Sequence, residues 1–83
     1  MKTYKIEFKK KALKFISGRT LKQRQRIFSE ISKLPLGGDV TKMEGFKDRY
    51  RLRVGDVRII YDKMDEIFVI LIVEAGHRGD VYK

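Results

Sequence analysis

The stretch Tyr50-Arg51-Leu52-Arg53-Val54-Gly55-Asp56-Val57-Arg58-Ile59-Ile60-Tyr61 decides how this chain folds. Two runs rich in β-branched and aromatic residues flank Gly55-Asp56, a two-residue turn signal. They predict a β-hairpin of Tyr50 to Val54 and Val57 to Asp62. A two-residue loop pairs Val54 with Val57, Arg53 with Arg58, Leu52 with Ile59 and Tyr50 with Tyr61. Side chains alternate faces along a strand. Leu52, Val54, Val57, Ile59 and both tyrosines therefore share one face, and Arg51, Arg53 and Arg58 share the other. A slip of one residue would bury the arginines, so the hydrophobic pattern fixes this register.

Working outward, Thr3 to Phe8 reads as a short strand with Tyr4, Ile6 and Phe8 on one face. Lys9 to Ser17 reads as a helix with Ala12, Leu13, Phe15 and Ile16 as its apolar stripe, ended by Gly18. Thr20 is the expected N-cap of a second helix, Leu21 to Leu34, in which Leu21, Ile27, Phe28, Ile31 and Leu34 recur at helical spacing. Pro35 and Gly37-Gly38 stop it. Val40 to Met43 is a weak strand, and Lys63 to Glu66 is turn-like. Ile67 to Val73 is apolar on both faces, as an interior strand covered on both sides would be. Gly76 is expected to break that strand, leaving His77 to Lys83 as a polar tail with Val81 and Tyr82. Helices followed by a run of strands indicate the α+β class. The expectation is one domain over residues 1–83, in which an N-terminal strand and a two-helix hairpin pack on a mostly antiparallel β-sheet.

Composition narrows the chemistry. The chain has no cysteine, which removes disulfides and thiolate metal sites, and His77 as the single histidine argues against a histidine-built zinc centre. No metal and no cofactor are expected. The N-terminal residues lack an uninterrupted apolar h-region, and no apolar run approaches the roughly 20 residues that span a bilayer. The expected location is cytoplasmic, with no membrane partner. The formal charge is +9. Residues 1–34 hold 11 Lys/Arg against Glu7 and Glu30, and residues 35–83 hold nine Lys/Arg against nine Asp/Glu, so the excess lies in the N-terminal part. So one-sided a field is more than solubility needs and points to a polyanionic partner.

The hairpin arginines sharpen that expectation. Arg53 opposite Arg58 is a poor choice for stability, because like charges facing each other across strands repel. Local conflicts of this kind tend to sit at functional sites. Either Asp48, Asp62 or Glu74 neutralises the arginines in a surface network, or three guanidinium groups converge on an anion. Arginine donates hydrogen bonds in a planar fork that suits phosphate oxygens. Arg78 and Tyr82 follow Gly76. A tail folding back over the arginines would add a fourth cation and a ring able to stack on a splayed RNA base; alternatively Tyr82 covers the edge of the core. His77 is a candidate acid–base group, with a structural role as the alternative.

These residues carry a resemblance. The hairpin quoted above is similar to the central hairpin of the RelE/ParE toxin superfamily. The ending Gly76-His77-Arg78-Gly79-Asp80-Val81-Tyr82 resembles the C-terminal motif of its RelE-type branch. The likeness covers essentially the whole chain and implies a RelE-like fold. It implies a type II toxin that enters the ribosomal A site and cleaves mRNA there by attack of a ribose 2′-hydroxyl on the adjacent phosphate, without metal. It implies a RelB-like antitoxin and the mRNA-loaded ribosome as partners. On this resemblance Arg51 and Arg53 match two basic positions of the site, Arg58 the arginine on the phosphate, Arg78 the cation near the leaving group, and Tyr82 the base-stacking ring. Lys9, Lys10, Lys14, Lys22, Arg24 and Arg26 on the helices would hold ribosomal RNA. One departure has a chemical consequence. The best-known family pattern carries lysines where Arg51 and Arg53 stand, and arginine, with a pKa above about 12, is not a general base. The base is then His77, Tyr82, a ribosomal group or nothing specific; in the loop Leu36 to Thr41 only Asp39 is acidic. The competing readings are a ParE-like DNA gyrase inhibitor and a non-catalytic RNA- or ribosome-binding module.

Overall fold

The hairpin forms in the expected register, with Tyr50 opposite Tyr61, Leu52 opposite Ile59, Arg53 opposite Arg58 and Val54 opposite Val57. The structure, a computed structural model, describes residues 3–77. Its elements are β1 (Lys5–Phe8), α1 (Lys10–Ser17), α2 (Leu21–Ser32), β2 (Asp39–Lys42), β3 (Arg49–Val54), β4 (Val57–Met64) and β5 (Val69–His77). Gly55 opens the β3–β4 turn at φ 59, a backbone state that costs glycine little and that the first position of a II′ turn requires.

The described strands form one sheet in the order β1-β5-β4-β3-β2. β1 runs parallel to β5 and every other pairing is antiparallel. The class is therefore α+β, with both helices on one face. Ala12 and Ile16 of α1 and Ile27 and Ile31 of α2 are buried against Leu52, Val54, Val57, Ile59, Tyr61, Ile70 and Ile72. Thr20 caps α2 as expected: its hydroxyl accepts from the Gln23 N–H at 3.2 Å, and the Gln23 side-chain carbonyl accepts from the Thr20 N–H at 3.1 Å.

Several boundaries differ from the sequence reading. α2 ends at Ser32, although Leu34 still reaches the core. Leu21, read as part of the apolar stripe, is exposed in the first turn, where nothing packs over it. β4 continues to Met64, and Ile67 lies in the turn before β5, 65% exposed, so its hydrophobicity does not mark the strand start. Gly76 does not break β5; it is paired with Arg58 inside the strand. A glycine ends a strand only when no partner holds it, and here β4 does. No helix among the described residues is long and apolar enough to cross a membrane.

Candidate functional site on the arginine face

The sheet register lines up the candidate residues. Asp39, Arg53, Arg58 and Gly76 stand in one row across β2, β3, β4 and β5. Thr41, Arg51, Ile60 and Glu74 stand in the next row. Directly opposed residues share a face. Arg51, Arg53 and Arg58 thus lie together on the face turned away from the helices, as the alternation predicted. They differ in exposure: Arg53 is exposed, Arg51 half-buried, and Arg58, set between Arg53 and the side-chain-free Gly76, only 9% exposed. Ile60 is buried on this same face, giving the arginines an apolar floor. The β4–β5 register shifts at Ile60/Tyr61, a bulge beside the arginine rows. Bulges re-aim side chains and are over-represented next to functional sites.

Two of the three acids considered as neutralising partners, Asp62 and Glu74, are paired with other cations. Asp62 accepts two hydrogen bonds from Arg49, at 2.7 and 2.9 Å. That bond raises the Arg49 pKa above its ordinary value, against some desolvation, with the Asp62 and Glu74 charges adding to it. Glu74 pairs with Lys11 at 3.1 Å. Sequence reasoning missed Arg49 because it began the strand at Tyr50. The alternation Arg49, Arg51, Arg53 was nevertheless visible at a spacing of two. Asp39, set aside as a loop residue, is a strand residue directly opposite Arg53.

Not every candidate joins this cluster. His77 is the last residue of β5, opposite Val57, and sits on the helix face. Its ring meets Phe15 edge-on at 5.2 Å, and its Nε2 lies 2.9 Å from a guanidinium nitrogen of Arg19. Arginine only donates, so this contact requires Nε2 to accept and leaves the ring proton on Nδ1. Lys9, Lys10, Lys14 and Lys22 are exposed on the helical layer, across the sheet from the arginines. Arg24 donates to the Ser17 carbonyl at 3.2 Å, closing the end of α1. Arg26 alone approaches the hairpin: a Cβ at Gly55 would stand 3.3 Å from its guanidinium nitrogen. Arg78 and Tyr82 lie outside the described residues.

Chemically, the face offers fixed cations over an apolar floor, suited to a phosphodiester and to charge developing on its oxygens. It offers arginines rather than a titratable base at its centre. Among the described residues, no group of three or more His, Cys, Asp or Glu is placed to hold a metal ion.

Comparison with known proteins agrees with the geometry. Residues 6–82 match the family described as the ParE toxin of type II toxin-antitoxin system, parDE. No curated protein matches by sequence. Among solved structures, the chain is similar to an archaeal protein in a RelE-RelB complex from Pyrococcus horikoshii, at 30% identity and TM-score 0.77, covering 95% of this chain and 99% of that one. It is similar to a chain of the RelB-RelE antitoxin-toxin complex from Methanococcus jannaschii, at 27% identity and TM-score 0.75, covering 92% of this chain and 94% of that one. It shares the fold of the isolated E. coli RelE toxin, at 23% identity and TM-score 0.78, covering 96% and 92% of the two chains.

Proposed function

Since this chain belongs to the RelE/ParE toxin superfamily, we propose that it is the toxin of a type II toxin–antitoxin pair and that it cleaves mRNA in the ribosomal A site. The observation that carries this reading is the register of Arg53 against Arg58, with Arg51 in the adjacent row. Like charges set directly opposite each other destabilise a strand pair, and a phosphate bound between them would relieve that repulsion.

In the proposed reaction the ribose 2′-hydroxyl attacks the adjacent phosphorus, the P–O5′ bond breaks, and a 2′,3′-cyclic phosphate and a 5′-hydroxyl result. Charge grows on the non-bridging oxygens in the transition state. Arg51, Arg53 and Arg58 are the groups proposed to meet it, and one such fixed donor is worth roughly 3–4 kcal/mol in other enzymes. By the resemblance, Arg78 stands near the leaving oxygen and Tyr82 stacks on a base. Proton removal falls to Tyr82 or to a ribosomal group, because His77 faces the other side of the sheet and is held by Arg19. The ribosome supplies substrate positioning, which is the entropic part of the barrier.

The proposed partner in the cell is a RelB-like antitoxin, an assignment supported by relatives solved in RelE-RelB complexes. A ParE-like block of DNA gyrase is the second reading, favoured by the family match itself. Primer extension on a defined mRNA in ribosomes with an empty A site separates the two. A cut within the A-site codon that needs ribosomes, and is lost in a folded Arg58→Ala variant, is the expected result. Intact mRNA together with inhibited supercoiling by gyrase would replace the nuclease reading with the ParE-like one. Ribosome binding without cutting or supercoiling inhibition would leave a non-catalytic module.

A further inference from the structure

Beyond Arg51 the arginine face continues to a feature that phosphate chemistry does not use. The Phe46 ring is 47% exposed, and the Arg49 guanidinium lies over it, 4.7 Å from the ring centroid. Arg49 is itself locked by its two-pronged bond to Asp62. One side of the ring is thus covered and held, while much of the ring remains in solvent. It borders a groove of about 640 Å³ with Met64 and Ile67 among its apolar walls.

The charge of this groove is opposite in sign to that of the chain. Arg49 and Asp62 cancel, and the rest of the lining sets Asp48, Asp65 and Glu66 against Lys47 and Lys63. Asp65 is occupied by the Tyr4 hydroxyl and Lys63, which hold its carboxyl below the usual range. Asp48 and Glu66 remain as carboxylates at the rim. A phosphate is repelled here. A nucleobase is not: its ring is neutral and stacks on an aromatic side chain, and its amino groups donate to carboxylates.

Resting on the proposed RNA-cleaving role, we infer that Phe46 is a stacking platform for an unpaired base of the RNA strand lying along β3. Arg49 to Arg53 is four residue steps, about 13 Å of strand, which gives room for about two nucleotides of a stretched chain between the platform and the Arg53–Arg58 pair. The groove thus takes a base flanking the cut and contributes to which codon positions are accepted.

The test uses ribosome-bound mRNA carrying the fluorescent base 2-aminopurine at one position at a time in and beside the A-site codon. Deoxy sugars at the attacked positions remove the nucleophile, so binding is read without cutting. Wild-type protein is expected to quench the probe at one position. Phe46→Ala and Phe46→Leu lose that quench and bind about tenfold more weakly, in line with the alanine-substitution range for base stacking. Phe46→Trp keeps both. Equal quench in wild type, Ala and Leu variants, or no quench at any position, overturns the inference. Primer extension on all-ribose mRNA judges the underlying reading separately. If wild type cuts and the Phe46 variants cut with the same kcat/KM, the nuclease reading stands and the platform falls. If wild type does not cut yet shows Phe46-dependent quenching, the platform stands in a binding module and the nuclease reading falls.

Discussion

The facing arginines Arg53 and Arg58 make a quantitative demand on the fold. Their Cα atoms are direct cross-strand partners, so their Cβ atoms stand about 4.5–5.5 Å apart. Two unit charges about 6 Å apart repel by about 0.7 kcal/mol with water-like screening, and by more where one is desolvated. Arg53 is exposed and Arg58 is largely buried, so the repulsion lies above the fully solvated limit. Cross-strand pairs contribute up to about 1 kcal/mol. We therefore expect an unfavourable coupling of about 0.5–1 kcal/mol at low salt. The single change Arg53→Gln does not isolate it, because Asp39, opposite Arg53 on β2, attracts the same charge.

A double-mutant cycle removes that ambiguity. Wild type, Arg53→Gln, Arg58→Gln and the double variant are unfolded in urea. Each single change relieves the repulsion, and the double change relieves it only once. The double variant should therefore be about 0.5–1 kcal/mol less stable than the sum of the singles predicts. At about 1 M salt, where the Debye length is about 3 Å, the coupling should fall below about 0.3 kcal/mol. A coupling that is zero, favourable or insensitive to salt would refute the argument that these charges are held in conflict. Adding a short RNA oligonucleotide should raise the melting temperature of wild type more than that of the double variant.

Three further substitutions test the frame around the site. Asp62→Asn leaves Arg49 without its charged partner; both groups keep some solvent contact, so about 1 kcal/mol of stability is expected to go, measured by urea denaturation. Tyr61 is buried and stacked on Tyr50 at 5.5 Å, and burial pushes its pKa up to about 12 from 10.0. Between those values the folded chain keeps a proton that the unfolded chain has lost, so stability falls as pH rises from 10 toward 12. Comparing melting curves of wild type and Tyr61→Phe should show this component, roughly 2 kcal/mol, absent from the variant. Gly38 has φ 90, and a Cβ there would stand 2.7 Å from Leu52 Cδ1. Gly38→Ala should therefore cost about 2 kcal/mol or more in equilibrium unfolding, and unchanged stability would mean that the β2 entry relaxes freely.

The central hairpin was legible because its period-two pattern and its turn signal agree, and nothing in tertiary structure had to override them. The arginine face followed from the same alternation. Arg49 escaped because strand ends are set by pairing: its partnership with Asp62 and the hydrogen bond from the Met43 N–H to its carbonyl extend β3 by a residue. The run through Gly76 was misread for the same reason, since pairing with Arg58 and Val57 holds β5 through His77. His77, read as the first residue of the tail, is instead the last residue of β5. A tail residue has no assigned face, whereas a strand residue opposite Val57 must face the helices. The Phe46 ring was not legible, because its place over Arg49 depends on a loop whose path carries no periodicity.

The separation of the two basic surfaces constrains the polyanion. The arginines occupy one face of the sheet, and Lys10, Lys14 and Lys22 lie on the helical layer covering the other. A single RNA strand along β3 cannot also touch that layer without turning around the hairpin tip. Arg26, packed at Gly55, is the cation positioned at that corner. On the proposed reading, the excess charge of residues 1–34 would serve a second stretch of polyanion on the opposite side of the molecule. An isolated mRNA offers no such second surface, whereas a folded RNA with walls on two sides does. On the proposed reading, the two surfaces should have separable effects. Lys14→Ala with Lys22→Ala should lower ribosome affinity and its salt slope by about one unit per lost phosphate contact. The position of the cut and kcat at saturation should remain unchanged. If these substitutions instead reduced kcat with affinity intact, the helical layer would have to reach the scissile phosphate, which the sheet between them forbids.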